Sequence, residues 1–340
     1  PDNGIKFFAK GGDKLADQVE AQIEARLGES WSRPTGLDVG RIFFDESAKK
    51  RYIDHLLSTM STKLTGLKVV VDCANGAAST VAPGAYEQAG AVVTAISATP
   101  TGWNINENCG STHLENLINE VKKTGADIGI AHDGDADRCL MVAKNGEIID
   151  GDQILNILAT AYLAEGKLNK QTVVGTVMSN LGFIKSMQAA DIKVEKTAVG
   201  DRYVLEKMLE NDYTLGGEQS GHIIMRQFSN TGDGLLTALQ VMQVVVKSKK
   251  SLQELASTMQ KYPQILINVK DVAKEKLASS AKIKDAILES EKELAGSGRV
   301  LLRASGTESL VRVMVEANDL ELAQKVADSL AQLVRSELKQ

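Results

Sequence analysis

The stretch IGIAHDGDADR, residues 128–138, joins a short apolar run to a loop of alternating aspartates. Its first four residues are β-branched or small, and a short apolar run that ends in turn residues is typical of a buried strand. Two further segments, residues 140–143 and 147–150, flank Asn145-Gly146, which is a strong signal for a hairpin. The stretch therefore predicts a strand, an acidic loop and a hairpin in direct succession.

The same alternation of strand and helix extends outward from this stretch. A β-branched run at residues 68–72 precedes it, and residues 112–123 have the pattern of a helix. The order restarts downstream, with predicted strands and helices at residues 172–177, 181–190, 193–197 and 235–247. Strands that alternate with helices are typical of an α/β sheet. We therefore expect two similar α/β units.

The last part of the chain has a different order of elements. Tyr262-Pro263 marks a break, because a proline disfavours helix in the residue before it. After it come a strand at residues 264–270, a helix, two strands near 299–303 and 311–316, and a helix from Leu320. The fold class that we predict is α/β, with related mixed α/β domains followed by a C-terminal α+β domain.

Composition and charge exclude several classes of protein. The 340 residues are 43% hydrophobic and 24% charged, with a net charge of -5, so nothing favours binding to nucleic acid or to an anionic membrane. Cys73, Cys109 and Cys139 are widely spaced, which argues against a disulfide framework or a zinc site and favours a reducing cytoplasm. No apolar run reaches the roughly 20 residues of a membrane span. We expect a cytoplasmic protein.

The acidic loop is a candidate metal site. Asp133, Asp135 and Asp137 alternate with small residues, so a tight loop can turn all three carboxylates toward one point. Hard oxygen ligands of this kind suit Mg²⁺, and Arg138 directly afterwards could hold a phosphate. A solvated acidic turn is the alternative. A calcium EF-hand is excluded, because its twelfth loop position needs Glu and here holds Lys144.

The segment GGEQSGH, residues 216–222, is a candidate sugar site. Glu218 and Ser220 lie two residues apart, so an extended loop would project both toward the hydroxyls of a sugar. His222 could bind phosphate or act as an acid or base. A polar connection into a strand, with a merely hydrogen-bonded histidine, explains the same segment equally well.

The segment RASGTE, residues 303–308, is a candidate phosphate loop between two predicted strands. It offers two hydroxyls, a glycine that exposes backbone N–H groups and arginines on both sides. The residues concerned are Arg303, Ser305, Gly306, Thr307 and Arg312. A hairpin turn with surface arginines is the alternative, and no Walker sequence is present.

The order and spacing of these three loops resemble the α-D-phosphohexomutase superfamily. DGDADR is similar to its metal loop, GEQSGH to its sugar loop and RASGTES to its phosphate loop. The opening DNGIKFF, residues 2–8, resembles the segment that follows the Ser-His-Asn-Pro motif of the family's active serine. The segments NIN at 104–106, CGSTH at 109–113 and VGDRY at 199–203 resemble the branch that acts on glucosamine phosphates.

This resemblance implies a magnesium-dependent mutase that interconverts glucosamine 6-phosphate and glucosamine 1-phosphate on the route to UDP-N-acetylglucosamine. A phosphoserine and a sugar bisphosphate are the implied intermediates. The implied partner is a small-molecule phosphosugar, and a homodimer is an open alternative to a monomer.

The resemblance also implies a role for each site residue. The metal ligands are Asp133, Asp135 and Asp137. The catalytic residues are Lys6, beside the serine, Arg138, which steadies the phosphoryl group, and His222, close to the reacting oxygen. The substrate-binding residues are Gly200, Asp201, Arg202, Glu218, Ser220, His222, Arg303, Ser305, Gly306, Thr307 and Arg312.

Four domain segments follow from the same resemblance. Residues 1–46 are expected to end a first domain, 47–150 to carry the metal loop, 151–261 the sugar loop and 262–340 the phosphate loop. The family's serine motif is expected in the missing part of the first domain, because no Ser-His-Asn occurs in the 340 residues. We therefore expect this chain not to turn over substrate by itself.

Three rival functions remain open from the sequence. A phosphoglucomutase or phosphomannomutase of the same superfamily shares the chemistry and differs in the sugar. A metal-dependent phosphatase would use an aspartate of DGDADR as nucleophile and would leave a phosphoaspartate. A non-catalytic module would bind the phosphosugar without converting it.

Overall fold

The structure, a computed structural model, describes residues 7–12, 15–305 and 309–339. The chain divides into two compact units. The first comprises Pro1–Met178 with Ala190–Thr258, and the second comprises Ser179–Ala189 with Met259–Gln340. Within the described residues, no helix combines the length and the apolar character that crossing a lipid bilayer requires.

The first sheet has five strands. Two helices precede it, α1 at Asp17–Arg26 and α2 at Ser47–Ser58. The elements of the sheet region are β1 at Lys68–Asp72, α3 at Ala82–Gln88, β2 at Val92–Ile96, α4 at Glu115–Thr124, β3 at Ile128–Ala131, β4 at Leu140–Ala143 and β5 at Ile148–Ile149. The strand order is β2-β1-β3-β4-β5. Strands β1, β2 and β3 are parallel, whereas β4 and β5 are antiparallel to their neighbours.

The second sheet has four strands. Its region contains α5 at Gly151–Ala164, β6 at Thr172–Thr176, β7 at Lys193–Thr197, α7 at Asp201–Asn211, β8 at Leu215–Gly217, β9 at Ile223–Met225, α8 at Gly234–Ser248 and α9 at Leu252–Ala256. Helix α6 at Leu181–Ala189 follows β6 in the chain and belongs to the second compact unit. The strand order is β7-β6-β8-β9, with β6 parallel to β7 and β8, and β9 antiparallel to β8.

The two sheets repeat one topology. In β2-β1-β3-β4 and in β7-β6-β8-β9, three parallel strands are followed by one antiparallel strand. The central strands are buried along their whole length, as parallel strands covered on both faces require. The loop from β3 to β4 and the loop from β8 to β9 therefore occupy equivalent places, and these are the predicted metal and sugar loops.

The C-terminal sheet is antiparallel. It contains β10 at Gln264–Lys270, α10 at Ala281–Leu294, β11 at Gly298–Ala304, β12 at Leu310–Ala317 and α11 at Leu320–Glu337. The strand order is β10-β12-β11. On β12, Val311, Val313 and Val315 alternate with polar or larger residues and enter one core with α10 and α11. This α+β unit and the two related α/β sheets confirm the predicted fold class.

Element boundaries differ from the sequence prediction where polar groups compete for the backbone. The helix predicted from residue 112 begins at Glu115, because residues 110–112 form a separate 3-10 turn. The strand predicted over 147–150 ends at Ile149. Asp150 instead caps α5, since its side chain accepts a hydrogen bond from the Gln153 amide at 3.2 Å. Helix α1 has no buried residue.

Candidate active site

The acidic loop brings its three carboxylates together. Asp133, Asp135 and Asp137 each offer an oxygen atom, and these atoms lie within 4.8 Å of one another. The loop closes because the amide of Ala136 donates to the Asp133 carbonyl at 3.1 Å, with Ala136 at a φ of 63°. Three hard oxygen donors at this spacing fit an ion such as Mg²⁺, which takes a few carboxylates and fills its other positions with water or phosphate oxygens.

Backbone contacts hold the acidic loop from two sides. The Ala77 amide donates to the Gly134 carbonyl at 2.9 Å, and the Gly234 amide donates to the Ala136 carbonyl at 3.0 Å. A Cβ on Gly76 would lie 2.2 Å from the Gly134 oxygen, so only glycine allows this approach. The carboxylates are therefore carried on a backbone that its neighbours restrain.

The electrostatics of the loop favour a cation. Burial raises the pKa of Asp133 to about 6, and hydrogen bonding to Asp135 and the charges of Asp137 and Asp135 add to this effect. The Arg138 Nε atom lies 3.8 Å from Asp133 Oδ2 and 3.9 Å from Asp137 Oδ1, at the edge of the cluster. Negative charges at this separation repel, and a divalent cation would relieve the repulsion.

The GEQSGH segment forms a tight turn. The Gly221 amide donates to the Glu218 carbonyl at 3.0 Å, which closes a β-turn over residues 218–221. The prediction of an extended loop is therefore wrong, and the spacing of Glu218 and Ser220 does not by itself put both side chains on one side. The Glu218 carboxylate accepts a hydrogen bond from the Gly200 amide at 2.9 Å, while Ser220 is exposed.

His222 connects the sugar loop with the metal loop. Arg138 and His222 form an isolated antiparallel β-bridge. The His222 ring is buried, with Nδ1 3.5 Å from Asp137 Oδ2 and Nε2 3.2 Å from Asp201 Oδ2. The Nε2 contact is short but does not have hydrogen-bond geometry. One ring thus lies between a predicted metal ligand and the first residue of α7.

The segment Gly200-Asp201-Arg202 begins α7 beside the sugar loop. Gly200 is its N-cap, with a φ of 134° that only glycine adopts without strain. The Arg202 Nε atom donates to Glu206 Oε1 at 2.9 Å, one helical turn further on. The structure therefore brings together Glu218, His222, Gly200 and Asp201, whereas the Arg202 guanidinium contacts Glu206 of its own helix and Asp17 of α1.

The predicted phosphate loop lies in the second compact unit, between β11 and β12. Arg303 and Arg312 are directly paired across these strands, and Asn268 of β10 pairs with Arg312 on the other side. Like charges directly opposite one another destabilise a sheet unless an anion compensates them. Ser305 is buried, and its carbonyl accepts a hydrogen bond from Lys274 Nζ at 2.6 Å. Lys6, Gly306 and Thr307 lie outside the described residues.

The sequence prediction missed several residues that support these loops. Asp233 caps α8 by accepting from the Leu236 amide at 2.9 Å, and it accepts a hydrogen bond from the Tyr52 hydroxyl at 2.9 Å. The only sequence signal was the N-cap pattern of an aspartate before an apolar helix. Lys274 gave no sequence signal. The only sequence signal for His132 was its place between the apolar run at residues 128–131 and Asp133.

Models of one protein family match most of the chain. Residues 50–146 match the model described as phosphoglucomutase/phosphomannomutase, alpha/beta/alpha domain II. Residues 150–262 match alpha/beta/alpha domain III, and residues 266–333 match the C-terminal domain of the same family.

Curated relatives share more than half of the aligned residues. The chain is 55% identical over 343 residues to the phosphoglucosamine mutase of Streptomyces griseus subsp. griseus, which covers 99% of this chain and 76% of that protein. It is 54% identical over 338 residues to the phosphoglucosamine mutase of Paenarthrobacter aurescens, covering 99% of this chain and 74% of that protein.

Solved structures show the same fold at lower identity. A phosphoglucomutase/phosphomannomutase family protein from Burkholderia thailandensis aligns with a TM-score of 0.72 at 23% identity, and the match spans 85% of this chain and 64% of that chain. The N-acetylphosphoglucosamine mutase of Aspergillus fumigatus, solved in complex with GlcNAc-6P and magnesium, aligns with a TM-score of 0.69 at 20% identity. That match spans 92% of this chain and 68% of the fungal chain.

Proposed function

The chain belongs to the phosphoglucomutase/phosphomannomutase family, and from that premise we propose that it carries the metal, sugar and phosphate sites of a phosphoglucosamine mutase. The proposed reaction interconverts glucosamine 6-phosphate and glucosamine 1-phosphate through a phosphoserine and a bisphosphate intermediate. Its proposed setting is the bacterial cytoplasm, on the route to UDP-N-acetylglucosamine. The choice of glucosamine is supported by relatives of that name at 54–55% identity.

One observation carries the proposal. The β-bridge between Arg138 and His222 joins the exit of the acidic loop to the exit of the sugar loop, although these loops belong to different sheets. A mutase must hold a phosphoryl group beside a sugar hydroxyl, and this requires both binding functions within a few ångströms. The contact between His222 and Asp137 at 3.5 Å supports that requirement.

Each group has a proposed task in the transfer. Asp133, Asp135 and Asp137 hold Mg²⁺, which when bound supplies charge neutralisation at the phosphoryl oxygens. The half-exposed Arg138 guanidinium lies beside this cluster, where it can donate hydrogen bonds to the transferring phosphate. The Glu218 carboxylate accepts hydrogen bonds from the sugar hydroxyls, and the Gly200 amide orients this carboxylate.

The remaining residues bind and orient the substrate. Arg303 and Arg312, paired across β11 and β12, bind the phosphate that is not transferred. The Ser305 hydroxyl adds a neutral donor. The His222 ring lies between Asp137 and Asp201, and we propose that it acts near the reacting oxygen.

The 340-residue chain is proposed to bind substrate without converting it. No Ser-His-Asn occurs in it, so the family's phosphoserine is not among its residues. Without that group the bisphosphate intermediate has no donor within this chain. The chain alone therefore acts as a phosphosugar-binding protein.

Calorimetry and product analysis test the proposal together. We expect glucosamine 6-phosphate to bind in the presence of Mg²⁺, and Asp135→Asn to weaken the binding of Mg²⁺ itself. Asp328→Asn, an exposed change on α11, is the matched control. Glucosamine 1-phosphate formed by the 340-residue chain would contradict the missing-serine mechanism. Tighter binding of glucose or mannose phosphates would assign a different sugar, and release of phosphate with a phosphoaspartate would indicate a phosphatase.

A further inference from the structure

His132, the residue before the first aspartate of the acidic loop, is completely buried. Its ring bridges two partners that are distant in sequence. Nδ1 lies 3.0 Å from the backbone carbonyl oxygen of Arg138, and Nε2 lies 2.8 Å from the Tyr86 hydroxyl on α3. The ring thus joins the residue before the loop to the residue after its last aspartate. Tyr86 is itself fully buried.

The partners determine where the proton of this imidazole lies. A carbonyl oxygen can only accept a hydrogen bond, so Nδ1 must carry the proton. Nε2 is then an acceptor, and the Tyr86 hydroxyl must donate to it. Burial raises the pKa of Tyr86, so the hydroxyl keeps its proton. Every polar atom of the relay from Tyr86 through His132 to Arg138 therefore has a partner.

The backbone of His132 is held as firmly as its ring. Its amide donates to the Asp72 carbonyl at 3.0 Å, and its carbonyl accepts from the Ser111 amide at 2.9 Å. The hydrogen bond between His132 and Arg138 packs against Gly234, where a Cβ would lie 2.7 Å from Nδ1 and 2.2 Å from the Arg138 oxygen. The end of β3 and the start of α8 therefore fix the position of the Arg138 backbone.

We propose that His132, held by Tyr86, is a positioning residue that fixes the exit of the acidic loop and so keeps its three carboxylates ready to bind Mg²⁺. This inference rests on the proposed function of the loop. Three carboxylates within 4.8 Å repel one another, and a loop tied only at its entry could relieve the repulsion by opening. A tie from residue 132 to residue 138 opposes that opening, so less reorganisation is needed when the cation binds.

A buried polar relay is also more specific than an apolar side chain of the same size. An apolar residue would fill the space but would leave the Arg138 carbonyl without its donor. A hydrogen bond has a direction, so it also constrains the orientation of this carbonyl. His132 therefore affects the metal site without touching the metal.

Substitutions at His132 distinguish the contributions of its two ring nitrogens. His132→Leu keeps an apolar side chain of similar size and removes both nitrogens. His132→Asn places an amide N–H near the position of Nδ1, from which it can reach the Arg138 carbonyl. His132→Gln places its amide near the position of Nε2, where it meets Tyr86 instead. His55→Asn, an exposed change on α2, is the matched control.

The measurement is Mg²⁺ affinity by calorimetry, with Mn²⁺ as a spectroscopic probe, at a temperature where every variant is fully folded. Lost stability alone cannot lower affinity under that condition. We expect His132→Leu and His132→Gln to bind Mg²⁺ about 10–100-fold more weakly, the usual effect of losing a partner that orients metal ligands. His132→Asn should restore most of the affinity.

Three outcomes would overturn the inference. Equal affinity in all variants would show that the loop needs no tie, and the proposed metal site would stand. Equal losses in His132→Asn and His132→Leu would show that volume matters and the Nδ1 donor does not. No Mg²⁺ binding by the unaltered chain would overturn both the site and this inference. Ring ¹⁵N chemical shifts provide a metal-free check, and we expect the proton of His132 on Nδ1.

Discussion

Arg138 and His222 pair in an isolated antiparallel β-bridge, which links two loops at equivalent places in two related sheets. The Cys139 amide extends the bridge by donating to the Gly221 carbonyl at 3.0 Å. A Cβ on Gly221 would lie 2.5 Å from the Cys139 oxygen, so the close approach depends on glycine. A shift of either loop therefore moves the other, so the candidate metal site and the candidate sugar site are mechanically connected.

The affinity for Mg²⁺ should fall as the pH is lowered from about 7 to about 5, because the metal needs deprotonated ligands. The pKa of Asp133 is raised from 3.8 to about 6, so this carboxyl takes up a proton in that window. Titrations of Mg²⁺ at several pH values measure the effect. The Mg²⁺ binding that remains in the Asp133→Asn variant should show much less of this pH dependence. Unchanged affinity at the two ends of the range would contradict the prediction.

Gly234→Ala should destabilise the first unit by about 1–3 kcal/mol, as overpacking of a closed interior does. The added Cβ would lie 2.2 Å from the Arg138 oxygen, and that backbone has no room to retreat. Urea unfolding measures the change. Gly84→Ala is the matched control, because its Cβ meets only Gln88 Nε2 at 4.0 Å within α3. The control should gain up to about 1 kcal/mol from helix propensity, and an equal loss in both would refute the steric argument.

Arg303→Met should have opposite effects on stability and binding. Removing one of two arginines paired across the strands should raise the free energy of unfolding by about 0.2–1 kcal/mol. The same change should weaken phosphate binding about tenfold, since a tenfold loss corresponds to about 1.4 kcal/mol. Urea unfolding and calorimetry with inorganic phosphate measure the two effects. Arg335→Met, on the exposed side of α11, should change neither, and a loss of stability in Arg303→Met would argue against the anion site.

Glu316→Ala should destabilise the second unit by about 3–5 kcal/mol, because it leaves a charged partner without its counter-ion in the interior. The buried Glu316 carboxylate accepts from Arg299 Nε at 2.6 Å and from the Leu181 amide at 2.9 Å, where it caps α6. Denaturant unfolding of the second unit measures this. Glu337→Ala removes an exposed ion pair with Lys282 and should cost about 0–1 kcal/mol. Comparable losses in the two variants would refute the role assigned to burial.

Much of the architecture follows from local sequence patterns. The run at residues 128–131, the Asn145-Gly146 turn and the alternating valines of β12 have periods that the backbone itself imposes. The spacing of Asp133, Asp135 and Asp137 is equally local, so the sequence predicted where the acidic cluster would form. The order of three loop motifs indicated the family, and the matches with family models confirm it.

Only the tertiary structure decided which distant residues meet. The β-bridge of Arg138 with His222, the hydrogen bond of His132 with Tyr86 and the hydrogen bond of Glu218 with the Gly200 amide depend on tertiary packing. Local periodicity is determined within a few residues by backbone geometry. Contacts between remote segments depend on register, glycine clearance and burial, which no short window of sequence contains. The sequence determined the chemistry carried by each loop, and packing decided how the metal and sugar loops are joined.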